Sequence, residues 1–391
     1  MAAIRRCRLR ARKSDTGDIT MADTTDVAII GGGAAGCAVA YYLAQSGVQS
    51  IIIEREGIGN QASGYSAGGL NPLTGVGIPG PLGAFAWECF QLHLGLYAAL
   101  KDLSGIDYQH RTVAKIDLAL EESEVQGLRA TVDLFQGVDG FEARWLEPQE
   151  IAKVEPRIGP GVLGGVYEYG NNAVDSHNLT RAFAAAAEKM GSTVRAGNVR
   201  SLEGSGGKID RVILADGEIS CGQVVLAMGP WSRRAESWLG VYIPVDPLKG
   251  EIIRLENNGE PFQHDISGGG GAIYPKLDGL NWCGTTEDWK GFDREPSEQV
   301  AREIRQQVAR LVPDLADAKL VKHTACLRPV TPDWLPVLGR ASGWDNVYLA
   351  TGAGKKGILL ATGIGKSVAD LITTGETSFS IQGYSPERFA T

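Results

Sequence analysis

Gly31, Gly33 and Gly36 stand at the spacing G-x-G-x-x-G, and an acid, Glu54, follows them. That pattern suits a pyrophosphate. Gly31 permits a tight turn, Gly33 lets phosphate oxygens approach a bare backbone, and Gly36 lets a helix pack closely on a strand. The first turn of such a helix offers unpaired N–H groups and a partial positive charge to an anion. A carboxylate about 20 residues further on can accept from ribose hydroxyls, and it disfavours a 2′-phosphate there. The same spacing recurs at Gly352, Gly354 and Gly357, so the chain holds two candidate nucleotide turns. Its six cysteines are scattered, no two at metal-ligand spacing, and its five histidines form no H-x-x-x-H pair. No metal site is expected.

The elements around the first turn complete a nucleotide unit. Residues 27–30 (Val-Ala-Ile-Ile) read as a buried strand, 37–45 as a helix rich in Ala, Tyr and Leu that Gly47 ends, and 51–53 as a second strand that Glu54 closes. Strand, turn, helix, strand and acid in that order predict a bound dinucleotide. The second turn lacks this frame. A strand at 347–350 precedes it and a helix at 358–372 follows, but the tail of Ser, Pro and Gly offers no second strand with a terminal acid. Taken alone it is an incomplete nicotinamide site.

At 391 residues, 43% apolar and 21% charged, the chain reads as globular and as more than one domain. A net charge of -8 argues against nucleic acid or an anionic membrane as the main partner. No apolar run approaches the roughly 20 residues of a membrane helix. Few, scattered cysteines fit a reducing, cytoplasmic setting. Residues 1–20 are basic and lack the apolar stretch of a secretory signal. They are expected outside the fold, as a disordered leader, a transit peptide or residues upstream of a start at Met21.

Four blocks together resemble the D-amino acid oxidase (DAO) family of flavoproteins, which includes glycine oxidase and monomeric sarcosine oxidase. Residues 26–54 resemble the family's opening, 61–69 its small-residue loop, 224–232 its VVxAxGxWS block and 327–339 its LRPxTxDxxPxxG block. The similarity runs over nearly the whole chain after the leader. It implies an α/β fold: a Rossmann-type FAD-binding domain, glutathione reductase-like, with a second, mostly antiparallel substrate domain. The implied cofactor is FAD. Its contacts would be Gly31, Gly33, Ala34, Ala35, Gly36, Glu54 and Arg55, then Ala62, Ser63, Ser66, Ala67, Gly68 and Gly69 of the loop. Val199, Gly229 and Trp231 would add to these. In the family the second glycine turn and its helix point at the flavin pyrimidine, which assigns Gly352, Gly354, Lys355, Lys356, Gly357, Ile358 and Leu359 to flavin contact.

The resemblance implies oxidation of the C–N bond of a small amine or amino acid (glycine, sarcosine or D-amino acid type) by hydride transfer to flavin N5. Electrons would pass on to oxygen or a quinone. A 2-hydroxy acid dehydrogenase, or the FAD-binding subunit of a multi-subunit amino acid dehydrogenase, remains an alternative, and a homo-oligomer stays open. A substrate carboxylate calls for a bidentate arginine. Arg328 matches the one in glycine oxidase, the alternative being a structural pair with Asp333. Lys355 matches a glycine oxidase arginine and Lys356 a carboxylate-binding lysine of sarcosine oxidase; either could instead be a solvated charge. Cys326 falls where sarcosine oxidase attaches FAD by a thioether, or it is simply a small buried residue. Ala272 stands where glycine oxidase has a tyrosine, and Tyr274 is expected on the opposite face of its strand. No acid–base dyad is visible, and none is needed if the neutral amine loses hydride directly.

The FAD domain is expected to be discontinuous, at 22–80, 151–240 and 325–391, with 81–150 and 241–324 as the substrate domain. Further expected elements are a helix at 182–190, strands at 193–199 and 209–214, and a strand at 247–254. A hairpin of 271–275 and 280–287 about Asp278-Gly279 and an amphipathic helix at 300–311 complete the reading.

Overall fold

The computed structural model describes residues 23–257 and 259–389, so the basic segment 1–20 lies outside the described residues. β1 (Asp23–Ile30), α1 (Ala34–Gln45) and β2 (Ser50–Glu54) open the fold. α2 (Ala62–Tyr65), β3 (Gly69–Leu70) and the long α3 (Gly83–Ser104) follow. Next come β4 (Arg111–Ala119), α4 (Glu122–Asp133), β5 (Glu142–Leu146), α5 (Pro148–Val154) and β6 (Gly164–Ala173). α6 (Ser176–Lys189) leads into β7 (Thr193–Ala196), β8 (Val199–Ser205), β9 (Lys208–Leu214) and β10 (Gly217–Leu226). After α7 (Glu236–Leu239), the strands β11 (Asp246–Glu256), β12 (His264–Gly268), β13 (Gly271–Pro275) and β14 (Leu280–Gly284) precede α8 (Glu298–Leu311). β15 (Leu320–Val330), β16 (Val337–Arg340), β17 (Val347–Thr351) and α9 (Gly357–Thr373) come last.

Two sheets organise these elements. The first has eight strands in the order β16-β17-β10-β1-β2-β7, with β9 paired to β10 and β8 to β9. Its centre is parallel: β1 pairs with β10 and β2, β10 with β17, and β2 with β7. Such strands are covered on both faces, which is why 27–30, 51–53, 224–226 and 347–350 are continuous apolar runs, nearly all inaccessible. α1, α3, α6 and α9 cover one face, and the β8–β9 hairpin and α7 the other. Small residues bring α1 and α9 into contact: a Cβ on Gly365 would fall 2.5 Å from that of Ala38. Leu43 is fully buried in this packing, and Leu43→Ala there costs about 2–5 kcal/mol.

The second sheet has nine strands in the order β15-β11-β14-β13-β12-β4-β6-β3, with β5 on β6. It is antiparallel apart from the β12–β4 pair. Its strands alternate. Ile116, Leu118, Ile253, Ile266, Ile273 and Cys283 face a core shared with Ile304, Val308 and Leu311 of α8. The period of two therefore turns Lys115, Asp117, Asp265, Ser267, Tyr274 and Trp282 to the opposite face.

Three expectations need correcting. The strand expected over 193–199 is two: the chain breaks at Gly197 and Asn198, so β7 joins β2 while β8 folds against β9. β6, β3 and residues 325–330 of β15, all expected with the cofactor unit, are hydrogen-bonded in the second sheet, β6 between β4 and β5, β3 on β6 and β15 on β11. α3, expected with the substrate domain, instead buries Phe85, Cys89 and Phe90 in the core it shares with α1 and α9. Among the described residues no helix is long and apolar enough to cross a membrane.

Candidate cofactor and substrate site

A cavity of about 570 Å³ lies where the carboxyl ends of the first sheet's parallel strands meet the polar face of the second sheet. Its cofactor half starts at the end of β1. Gly31 has φ +113°, and a Cβ there would lie 2.3 Å from the Ala227 carbonyl oxygen. A Cβ on Gly36 would lie 2.1 Å from the Gly31 carbonyl oxygen, so only glycine lets α1 start this close to the turn. No side chain caps α1 at Gly33 and no acid occupies its first turn. Ser63 Oγ accepts from the Ala34 N–H at 2.9 Å, and Gly33, Ala34 and Ala35 line the cavity. That helix end is suited to an anion.

Glu54 is fixed on the wall by two backbone donors. Its Oε2 accepts from Gly32 N–H at 2.7 Å and its Oε1 from Glu56 N–H at 2.8 Å. Lone pairs remain for sugar hydroxyls. The Arg55 guanidinium stacks 4.1 Å from the centre of the Trp231 ring, joining the two sequence blocks across the cavity. Ala62, Ser63, Ser66, Ala67, Gly68, Gly69, Val199 and Gly229 also line it.

The second glycine turn opens on the same cavity. β17 runs beside β10, and the turn after it leads into α9, again with no side-chain cap and no acid in its first turn. Gly352, Gly354, Lys355, Lys356, Gly357 and Ile358 line the wall. Among the described residues no strand follows α9. Two uncapped helix ends, an anchored acid and a glycine cradle around one cavity fit FAD. Gly36 and Leu359, expected among the contacts, are not on the wall. Gly36 lies beneath the Gly31 turn, and Leu359 is buried inside α9.

On the substrate side, Arg328 of β15 reaches into the cavity and donates from Nη1 to the Thr286 carbonyl at 2.9 Å. Gly250 of β11 makes the room: a Cβ there would lie 2.3 Å from both terminal guanidinium nitrogens. Arg328 does not pair with Asp333, whose carboxylate Arg388 holds at 2.8 Å. Lys356 is the inner lysine. It donates to the carbonyls of Thr74 at 2.7 Å and Asn71 at 3.4 Å, and burial, aided by Lys115, lowers its pKa to about 8. Lys355 sits nearer the rim, paired with Glu287. Cys326 lines the cavity, its thiol pKa raised by burial. Tyr274 also lines it, contrary to expectation, because residues 272 and 274 are two apart and share a face.

Lys115, Asn171 and Asp265 on the wall were not anticipated. Lys115 pairs with Asp117; burial opposes its charge, but Asp117 and Glu168 prevail and hold it protonated. Burial pushes Glu168 up to about 7 against the pull of Lys115, and Asp265 up to about 6 against Lys276, Arg111 and Lys115. A signal did exist. Lys115-Ile116-Asp117-Leu118 and Asp265-Ile266-Ser267 alternate charged or polar with apolar residues, as strands do when both faces are used. Among the described residues no cluster of His, Cys, Asp and Glu could hold a metal ion.

The family model described as FAD dependent oxidoreductase (DAO) matches residues 26–371. The glycine oxidase of Geobacillus kaustophilus is 30% identical over 369 residues, covering 93% of this chain and 97% of that protein. The glycine oxidase of Bacillus licheniformis is 30% identical over 348 residues, covering 89% and 92%. The crystal structure of the Geobacillus kaustophilus glycine oxidase superposes with a TM-score of 0.88 at 29% identity, covering 94% of this chain and all of that one. With its glycine cradle, anchored acid and second helix end in place, the chain belongs to the DAO family of FAD-dependent oxidoreductases.

Proposed function

We propose that this enzyme oxidises the C–N bond of a small amine or amino acid whose carboxylate Arg328 grips. The carrying observation is that Arg328 enters the same cavity as both helix ends of the FAD cradle, with Gly250 shaped to admit it. The glycine oxidases it resembles support the same reading. When bound, FAD supplies the hydride acceptor for a C–H next to nitrogen. Gly33, Ala34, Ala35 and Glu54 would hold the pyrophosphate and ribose, and the start of α9 would face the flavin ring. A positive helix end there favours negative charge on that ring.

The protein's own task is to orient. Arg328 offers planar, paired N–H donors that fix a carboxylate in one plane. Lys356 adds a second positive charge, held in place by two backbone carbonyls. Molecular oxygen or a quinone would reoxidise the cofactor. The deciding experiment is anaerobic mixing of the holoprotein with amino acids, N-methyl amino acids and hydroxy acids. Bleaching of the flavin band by an amine, with ammonia or a free amine released, supports the reading. Bleaching by hydroxy acids alone overturns it.

A further inference from the structure

We propose that the recess formed by Asn171, Asp265 and Tyr274 receives a second, cationic nitrogen at the end of the substrate's side arm, so that the preferred substrate is a basic amino acid. This deepens the amine-oxidation reading above and rests on it. The recess is built by strand register. Lys115 is opposite Glu168 on β6 and Asp265 on β12, and Tyr274 is opposite Trp282 on β14. Continuing the β12–β13 register sets Asp265 beside Tyr274. All face away from the α8 core, and Asn171, Asp265 and Tyr274 line the cavity that Arg328 enters.

The donors here have acceptors. Lys115 gives to Asp117, Lys276 to the Ala67 carbonyl, and Arg111 to the Pro275 carbonyl at 3.0 Å. Several acceptors have no donor. The Asp265 carboxylate makes no hydrogen bond or ion pair with any described residue. Asn171 is 4% exposed, and while its Nδ2 is held by Glu168 at 3.0 Å, its Oδ1 is buried without a partner. Glu168 is fully buried, and its Oε1 is likewise unpartnered. Such a recess takes a donor. Lys115, Lys276 and Arg111 stand against the carboxylates Asp117, Glu168 and Asp265, and Lys356 and Arg328 add further positive charge nearby, so hydrogen-bond need rather than net field sets its preference. An ammonium answers it with three N–H groups.

Spacing selects the side arm over the reacting amine. Arg328 donates to Thr286, four residues beyond Trp282, and Trp282 lies two strands from Asp265. At about 4.8 Å per strand, the four steps from β15, which carries Arg328, to β12, which carries Asp265, separate the two backbones by roughly 19 Å, and the side chains reaching into the cavity shorten it. The amine of an α-amino acid, one carbon from its carboxylate, does not cover that separation. A side arm of lysine length, with a hydrogen bond at each end, comes within reach of it.

The test compares lysine, norleucine, 2-aminoadipate and glycine, in both enantiomers where they exist, by anaerobic flavin reduction of the holoenzyme. Lysine should exceed norleucine by at least about tenfold in kcat/KM, and Asp265→Asn should collapse that ratio through KM. A binding readout stands beside it: 6-aminohexanoate should perturb the flavin spectrum at lower concentration than hexanoate, which needs no variant. Equal use of lysine and norleucine, preference for 2-aminoadipate, or an undiminished ratio in Asp265→Asn overturns the inference. If norleucine or glycine bleaches the flavin without a lysine preference, only this inference fails. If no amine bleaches it, the amine-oxidation reading fails and takes this one with it.

Discussion

Gly250→Ala adds one methyl group and removes no charge, yet it should disable the substrate grip. The new Cβ would sit 2.3 Å from Nη1 and Nη2 of Arg328. Ordinary contact is near 3.5 Å, so the guanidinium must retreat by about 1.2 Å. A misplacement of about 1 Å in a positioning group can cost about 100-fold, or about 2.7 kcal/mol. Losing a buried charge-assisted contact outright costs about 2–5 kcal/mol, which sets the ceiling. KM for the best amino acid substrate should therefore rise roughly 30- to 300-fold. Flavin content should not change, because Gly250 is remote in sequence from both glycine turns and Ala is tolerated in a strand. The check is steady-state kinetics in a double-mutant cycle. If the effect travels through Arg328, Gly250→Ala should add almost nothing in an Arg328→Ala background. A wild-type KM in Gly250→Ala, or the same fold-change in both backgrounds, refutes the reasoning.

Gly36→Ala puts a Cβ 2.1 Å from the Gly31 carbonyl oxygen, a backbone clash that no rotamer relieves; the purified protein should be colourless, as judged by the flavin-to-protein absorbance ratio. Lys356, with its pKa lowered to about 8, carries its attracting charge below that pH and loses it above. Affinity for a simple carboxylate such as propionate, read from the flavin spectrum, should fall as pH rises through about 8, and Lys356→Met should flatten that limb. Cys326 is held as a thiol by burial, and a thioether needs the thiolate. Acid precipitation should therefore leave a colourless pellet and a yellow supernatant.

The parallel sheet was legible because its strands are buried on both faces and announce themselves as apolar runs. The Gly31 turn and Glu54 were legible because phosphate and ribose impose residue types at a set spacing. The second sheet was harder to read. β6 is Gly-Gly-Val-Tyr-Glu-Tyr-Gly-Asn-Asn-Ala, and nothing local says which sheet it will enter; its place is decided by β4 and β5, long-range partners in the folded chain. α3 carries its apolar residues on a face whose partner, α9, lies more than 250 residues away. Spacing alone likewise left Lys355 and Lys356 equivalent. What separates them is tertiary: the Asn71 and Thr74 carbonyls draw Lys356 inward, and Glu287 holds Lys355 at the rim.

The two sheets divide the labour through a single difference in periodicity. A parallel strand covered on both sides has no face to spare, so the first sheet can offer a ligand only what lies beyond its strand ends, and its glycine turns do so with backbone N–H groups. An antiparallel strand backed by α8 on one side has every second residue free. Along β4, β12 and β13 those free positions carry Lys115, Asp117, Asp265, Ser267 and Tyr274 rather than aliphatic residues. A wall meant only to shelter glycine would be stabilised by apolar side chains at these positions, since each buried polar group costs free energy until it is satisfied. Keeping an unpartnered acceptor at Asn171 beside the Asp265 carboxylate on the cavity wall makes physical sense if a ligand supplies the missing donor. The cofactor half thus works through backbone groups at strand ends, while the second sheet offers a ligand the side chains of alternate residues.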